Sequence, residues 1–458
     1  MNNKQEEKFI RMTTEPVGRL ITKMAVPTIV AMMVTALYNM ADTFFVGQLH
    51  SNSATGAIGV SFSLMTVMQA LGFFFGQGSG NYISRQLGKH QTDDAAIMAA
   101  SGAAMSFTAG LVVLVIGQIF LEPICLLLGS TPTILPYACD YLRFILIGAP
   151  YMMASFTLNN QLRFQGSALY AMIGIATGAV LNIALDPLLI FGLGLGVQGA
   201  AIATIISQLV SFILLVVGTT RPGNVHLHFK NIRFTGAIFA QVWKGGFPSL
   251  LRQGLISVAT ICLNLSAGVY GDAAIAAMSV VSRAMGMALS ALIGFGQGFQ
   301  PVCGFNYGAG LYDRVKKAFR FTVLTATAGL VVLSAVGFAF APRIVAIFRD
   351  DPEVIAFGTT AMRIQCVTFS LGGVVMIANM MTQTMGKTVQ ASILAAARQG
   401  LFFIPAVLLL PRFWGALGVQ MAQSVSDVCA FALALPMAIS VLRGLDREKA
   451  NEPTAGNW

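Results

Sequence analysis

The chain has 458 residues, 56% of them hydrophobic and only 10% charged, with a formal net charge of +10. Soluble globular chains carry roughly 25% charged residues, and a single core cannot hide this much apolar surface. An ordinary soluble enzyme or binding module is therefore excluded. The basic excess does not point to nucleic acid, because the basic residues fall in short loops beside apolar stretches, where they orient a membrane protein.

In chain order, residues 1–23 are polar and charged, and the first apolar run ends in no small-residue cleavage pattern, so no cleaved leader is expected. No Asp, Glu, Lys or Arg occurs from Thr43 to Ser84, Ala95 to Leu121, Pro187 to Thr220, Ala284 to Tyr312 or Phe321 to Pro342. A spanning helix needs about 20 mostly apolar residues. The spacing predicts spans at 22–46, 56–82, 95–120, 138–161, 169–192, 200–219, 246–268, 274–303, 317–341, 357–383, 391–411 and 417–442. Turn residues such as Gly129-Ser130-Thr131-Pro132 and Arg221-Pro222-Gly223-Asn224 punctuate the gaps. The six cysteines form no CxxC pair, and the four histidines (His50, His90, His226, His228) fall in loops, so neither a metal centre nor a cofactor is expected.

Of the 28 Lys and Arg, twenty fall in the two terminal segments and the even-to-odd connections, and three (Arg343, Arg349, Arg412) on the opposite face. This asymmetry predicts both termini in the cytoplasm and hence an even number of spans. The chain also repeats itself: Gly76-Gln77-Gly78 followed by Gly88 recurs as Gly296-Gln297-Gly298 followed by Gly308. Lys23 and Pro27 recur as Lys244 and Pro248, Gly166 as Gly386, and Gly196-Val197-Gln198 as Gly418-Val419-Gln420. The expectation is an all-α integral membrane protein of twelve transmembrane helices in two homologous six-helix lobes, related by a pseudo-two-fold along the membrane normal. The divisions are 1–21 (cytoplasmic N-terminal tail), 22–219 (N-lobe), 220–245 (cytoplasmic linker), 246–442 (C-lobe) and 443–458 (cytoplasmic C-terminal tail). A monomer is the expected working form, with the lipid bilayer as its surroundings.

Tyr38-Asn39-Met40-Ala41-Asp42-Thr43-Phe44-Phe45-Val46-Gly47 after Pro27, Gly76-Gln77-Gly78 leading to Gly88, Asn182-Ile183-Ala184-Leu185-Asp186-Pro187, and Gly196-Val197-Gln198-Gly199-Ala200-Ala201 carry a resemblance. Over about residues 20–445 the chain resembles the multidrug and toxic compound extrusion (MATE) family of antiporters, most of all its bacterial multidrug-export branch. The resemblance implies two lobes, an outward V-shaped cleft, and export across a bacterial cytoplasmic membrane driven by inward Na⁺ or H⁺. The substrates it implies are lipophilic, mostly cationic drugs.

Carboxylates at membrane depth are costly and mark function or pairing; Asp42, Asp186 and Asp427 are the clear ones, with Asp140 near a span end. Asn182 stands one turn before Asp186 and Tyr38 one turn before Asp42, so each pair shares a helix face. Oxygen ligands of this kind suit a hard cation such as Na⁺, and the same carboxylates can carry protons. The resemblance carries the coupling-ion role to Asp42, Asn182, Asp186 and Thr204, the surrounding hydrogen-bond network to Tyr38, Asn159 and Tyr141, and a helix bend to Pro27. The chain departs from those members with a second-lobe ion site, because its seventh and tenth spans hold no acid at the matching places. Its second half instead carries Arg252, Arg283, Arg363 and Arg398 against Asp427, with Arg398 and Asp427 as a candidate pair, substrate-contacting or structural. A flippase or exporter of a lipid-linked or anionic metabolite is the rival reading, favoured by those arginines. An enzyme is not expected, since no nucleophile or metal cluster lies in a span.

Overall fold

The computed structural model describes residues 3–48 and 52–451, leaving out the side chains of residues 39, 40, 42, 43, 46, 47, 52, 54, 55 and 451. The described residues form helices and connections, with no strand among them. In chain order the helices are α1 (Asn3–Thr14), α2 (Val17–Gly47), α3 (Asn52–Gly88), α4 (Thr92–Ile119), α5 (Leu121–Leu127), α6 (Leu135–Phe164), α7 (Ala168–Pro187) and α8 (Gly196–Thr219). Then follow α9 (Gly236–Gly268), α10 (Asp272–Gly308), α11 (Tyr312–Phe348), α12 (Pro352–Phe369), α13 (Gly372–Thr384), α14 (Thr388–Ala396), α15 (Ile404–Trp414) and α16 (Ala416–Asn451).

Among the described residues eleven helical stretches are long and apolar enough to cross a membrane, and twelve if α12 and α13 are counted together as one bent span. Their outward faces carry exposed Leu, Val, Ile and Phe, such as Phe62, Ile261, Leu324 and Val332. Lipid accepts such a surface, and helices satisfy their backbone groups internally there. Helices outrun the apolar windows read from sequence: α9 starts at Gly236 rather than 246, and α11 runs over Tyr312–Phe348 rather than 317–341. Hydrogen bonding along a helix does not stop where hydropathy falls.

The expected tenth span, 357–383, is not one straight helix. It breaks after Phe369 and bends by 54°. Leu371 N–H bonds back to Thr368 O and Gly373 N–H to Ser370 O, a tighter turn than the α ladder. Ser370 and the Gly372-Gly373 pair supply the weak point, as Ser and Gly do in most sharp kinks. Gly373 also lies against α11, where a Cβ would come within 3.2 Å of Thr327 Oγ1.

Two compact units emerge. One comprises residues up to Met12 together with Val26–Gly246; the other comprises Thr13–Ala25 and Phe247 onward. In the first unit α6 is the central helix: 72% of its apolar window is buried, against 17–39% for the other spans. It packs on α3, α4, α7 and α8. Gly72, Gly76 and Gly80, each one turn apart, face Phe156, Asn160 and Phe164, so α3 and α6 approach as small-residue stripes do in membranes. Polar side chains add glue: Gln161 Nε2 donates to Ser79 Oγ (2.9 Å) and Ala99 O (3.1 Å), and Thr157 Oγ1 bonds Ser106 Oγ (2.8 Å). In the second unit Gly296, 220 residues after Gly76, faces Met380 and Ile377 in the same way.

The N-terminal segment and the inter-lobe linker are both tied into the first unit. Lys8 Nζ on α1 donates to Ser167 Oγ (2.7 Å), Asn224 Oδ1 (2.6 Å) and Gly223 O (3.2 Å). In the linker Val225 N–H donates to Gln165 Oε1 (2.7 Å) and Arg233 N–H to Ser101 Oγ (2.9 Å).

Candidate coupling site and a second cavity

The candidate coupling site lies where α7 meets α8. Gly178 lets them close: a Cβ there would lie 2.9 Å from Ser211 Cβ and 3.0 Å from Ser207 O. Four residues on, Asn182 points at Thr204 of α8, and one turn further Asp186 stands behind it. Asn182, Asp186 and Thr204 are 1%, 0% and 0% exposed. Asn182 Nδ2 lies 3.4 Å from Asp186 Oδ1 and 3.3 Å from Thr204 Oγ1. Turned end for end, the amide donates to Asp186 Oδ2 at 3.1 Å and accepts from the Thr204 backbone N–H at 3.3 Å. That orientation satisfies both ends of a buried amide and is the one adopted.

Just past Asp186 the helix changes character. Pro187 has no N–H to continue the ladder, and Leu188–Gly192 winds as a π-helix. Such wide turns recur at functional sites. The second unit carries its own, Ala397–Phe403, ahead of Pro405.

A cavity of about 60 Å³ opens beside Asn182 and Thr204, lined also by Tyr38, Met65, Gln69 and Gln208. Drug-sized ligands need roughly 300–1,000 Å³, so the pocket as formed fits an ion with a few waters, not a drug. Asp186 does not line it directly; Asn182 stands between. Of the remaining sequence-derived residues, Tyr141 donates to Met65 Sδ at 3.9 Å, which touches the cavity wall indirectly. Asn159 does not join the cluster: its Nδ2 is spent on Ala171 O at 2.9 Å, a tie from α6 to α7. Pro27 sits inside α2, which runs through it. Asp42 lies on α2, and its side chain is outside the described residues.

The second unit holds a larger cavity, about 270 Å³, with Arg398 and Asp427 in its wall. Arg398 Nε lies 2.7 Å from Asp427 Oδ1. Among the described residues two other second-half arginines also meet helix partners, though Arg283 is not one of them: Arg252 Nη1 donates to Asn379 Oδ1 (3.2 Å) and Arg363 Nε to Phe338 O (3.3 Å). Sequence reasoning passed over Gln208, Gln365, Gln399 and Gln423, which line the two cavities. Their signal was available, since glutamine is uncommon in apolar helices, but which face each helix buries is set by partners far away in sequence. Among the described residues no group of three or more His, Cys, Asp or Glu gathers as a metal site.

The MatE family model matches the chain twice, at residues 27–188 and 248–408. Among similar proteins, the multidrug export protein MepA of Staphylococcus haemolyticus is 26% identical over 449 residues, covering 98% of this chain and 99% of that protein. MepA of Staphylococcus aureus strain MSSA476 is 25% identical over 433 residues, covering 94% and 96%. A solved outward-facing conformation of a multidrug resistance MATE family transporter of the MOP superfamily superposes with a TM-score of 0.90 at 23% identity, over 96% of this chain and 98% of that one. A crystal structure of MATE in the straight conformation gives 0.90 at 23% identity, over 96% and 99%.

Proposed function

We propose, for a chain that belongs to the MatE family of multidrug efflux transporters, that it exports lipophilic, mostly cationic compounds in exchange for inward H⁺ or Na⁺. The work is done by a monomer in a bacterial cytoplasmic membrane, with both termini inside. The observation that carries the coupling role is the fully buried Asp186–Asn182–Thr204 cluster beside an ion-sized cavity. A carboxylate held this deep is expensive unless a cation or proton visits it.

Asp186 supplies charge, Asn182 an amide oxygen and Thr204 a hydroxyl, a donor set suited to Na⁺ or, through Asp186 alone, to a proton. The family resemblance assigns Asp42 the role of second carboxylate. Binding of the ion offsets the buried negative charge and shifts the balance between two arrangements of the first lobe. Only a ligand that prefers one arrangement can do this. Drug entering from inside then resets the cycle. The rival reading, an exporter of anionic or lipid-linked metabolites, needs arginines free to hold phosphate. The engagement of Arg252, Arg363 and Arg398 by helix partners favours the multidrug reading.

The test is drug efflux from vesicles under an imposed Na⁺ or pH gradient. Asp186→Asn and Asp42→Asn are expected to lose gradient-driven efflux by about 100-fold or more, while one of the two gradients drives the wild type. If both variants pump at the wild-type rate, the coupling site lies elsewhere.

A further inference from the structure

The cavity of the second unit differs in kind from that of the first. At about 270 Å³ it is well beyond ion size and just short of the roughly 300 Å³ at which drug-sized pockets begin, room for a compact ligand. Its walls come from α9, α10, α12, α16 and the π-helical turn Ala397–Phe403. Flat and soft apolar groups, Phe369, Phe403, Met278 and Met285, make up much of the surface.

Two opposite charges stand in that wall. Asp427 is 1% exposed; its Oδ1 accepts from Arg398 Nε at 2.7 Å and from Gln423 Nε2 at 2.9 Å. Its Oδ2, equally buried, has no hydrogen-bond partner among the described residues. Among the described residues Arg398 engages an acceptor only through Nε, which leaves its two terminal amino groups, and its side chain is 14% exposed. The internal repeat makes this more than a helix tie. Met285 follows Met65 by 220 residues, and both line cavities; Arg398 follows Gly178 by the same interval, and both line cavities. Where the first unit has a glycine packed against Ser207 and Ser211, the second carries a tethered cation.

We propose that this cavity binds compact aromatic zwitterions, the ligand's ammonium donating to Asp427 Oδ2 and its carboxylate accepting from the terminal amino groups of Arg398. The proposal rests on the export reading above and adds a substrate class at a second site. The two wall charges cancel. A lone cation reaching Asp427 meets Arg398 beside it, and a lone anion reaching Arg398 meets Asp427. Away from water both encounters are penalised. A ligand carrying both signs matches both groups at once, and the mismatch of the others is the basis of selectivity. The Phe and Met walls take its ring.

The test is equilibrium binding to the purified full chain in detergent, with no gradient imposed. The probes are 6-(aminomethyl)-2-naphthoate, its methyl ester (a monocation) and its N-acetyl derivative (a monoanion). The zwitterion is expected to bind at least about tenfold more tightly than either relative. Arg398→Gln should turn the preference toward the ester, and Asp427→Asn toward the N-acetyl compound. If either single variant fails to fold, the exchanged pair Arg398→Asp/Asp427→Arg, which keeps both charges, should still prefer the zwitterion. Equal binding of all three probes, no binding of any to the wild type, or an order unchanged in the single variants overturns the proposal and leaves the pair as a tie between helices. A wild type that exports a cationic dye under a gradient yet shows no charge-type preference overturns this proposal alone. Binding needs no gradient, so a failed export reading leaves the preference readable.

Discussion

Gly80 and Gly310 show how single positions constrain this chain. A Cβ on Gly80 would sit 2.2 Å from Phe164 Cδ2, inside a ring that is itself fully buried. The ring cannot step aside without opening the α3–α6 contact, so Gly80→Ala should destabilise the protein by about 1–3 kcal/mol. Gly59→Ala is the control, because nothing lies within 4 Å of its Cβ position. Alanine is the better helix former there, so it should be neutral or slightly stabilising, by up to about 1 kcal/mol. Thermal unfolding of the two variants in one detergent separates them. Gly310 has φ +71°, and the residue 220 positions earlier, His90, is the one non-glycine with positive φ among the described residues, at +58°. The same turn closes both repeats, and the first tolerates the left-handed backbone with a side chain packed on Phe9 at 3.8 Å between ring centroids, the rings tilted by 42°. Gly310→Ala gains no such contact and should cost about 1–2 kcal/mol in the same assay.

Among the elements, α1 docks through a lysine that titrates near neutral pH. Burial pushes the Lys8 ammonium down to about 7, with Arg11 adding repulsion, from an ordinary lysine value of 10.5. The unfolded segment keeps its proton up to about 10.5 and the docked one loses it near 7, so between those values the undocked form binds more protons. Stability of the docked form therefore rises as pH climbs from about 7 toward 10.5, and the full desolvation cost is present below 7. Proteolysis within Asn3–Thr14 should slow as pH is raised from 6.5 to 9, after correction for the protease's own pH dependence. Lys8→Met should flatten that profile; an equally steep profile in the variant would place the titrating group elsewhere. Much at this scale is legible in the sequence. Charge-free stretches mark the spans because lipid tolerates no unpaired charge, and Pro187 marks a disturbed helix end because it lacks a donor. The bend after Phe369 is less legible, because Gly-Gly pairs occur in straight membrane helices and it is Thr327 on α11 that makes this one a contact point. The seating of α1 was not legible at all, since a charged segment reads as solvated until Ser167 and Asn224 are seen around its lysine.

At the scale of the whole molecule, the duplication persists down to single hydrogen bonds. Asn159 Nδ2 donates to Ala171 O at 2.9 Å, and Asn379 Nδ2 to Ala391 O at 2.6 Å; donor and acceptor are each displaced by 220 residues. Each bond ties a central helix to the one after the turn that follows it, and Gly166 and Gly386, at φ +78° and +79°, shape those turns alike. The repeat was legible through glycines and prolines because those residues answer to backbone geometry, which both halves share. The ion cluster was legible only on one side, for no matching Asn and Asp stand in the second half, where Arg398 and Asp427 line the cavity instead. The two asparagines therefore test which features are architectural. Asn159→Ala leaves the Ala171 carbonyl without its donor and should cost about 1–3 kcal/mol. Asn379→Ala should cost more, because Arg252 Nη1 also loses its acceptor. The two bonds share no partner, so the double variant should show the sum of the single effects to within about 0.5 kcal/mol. A larger departure from additivity in thermal or denaturant unfolding would mean that the two repeats do not carry their stability independently.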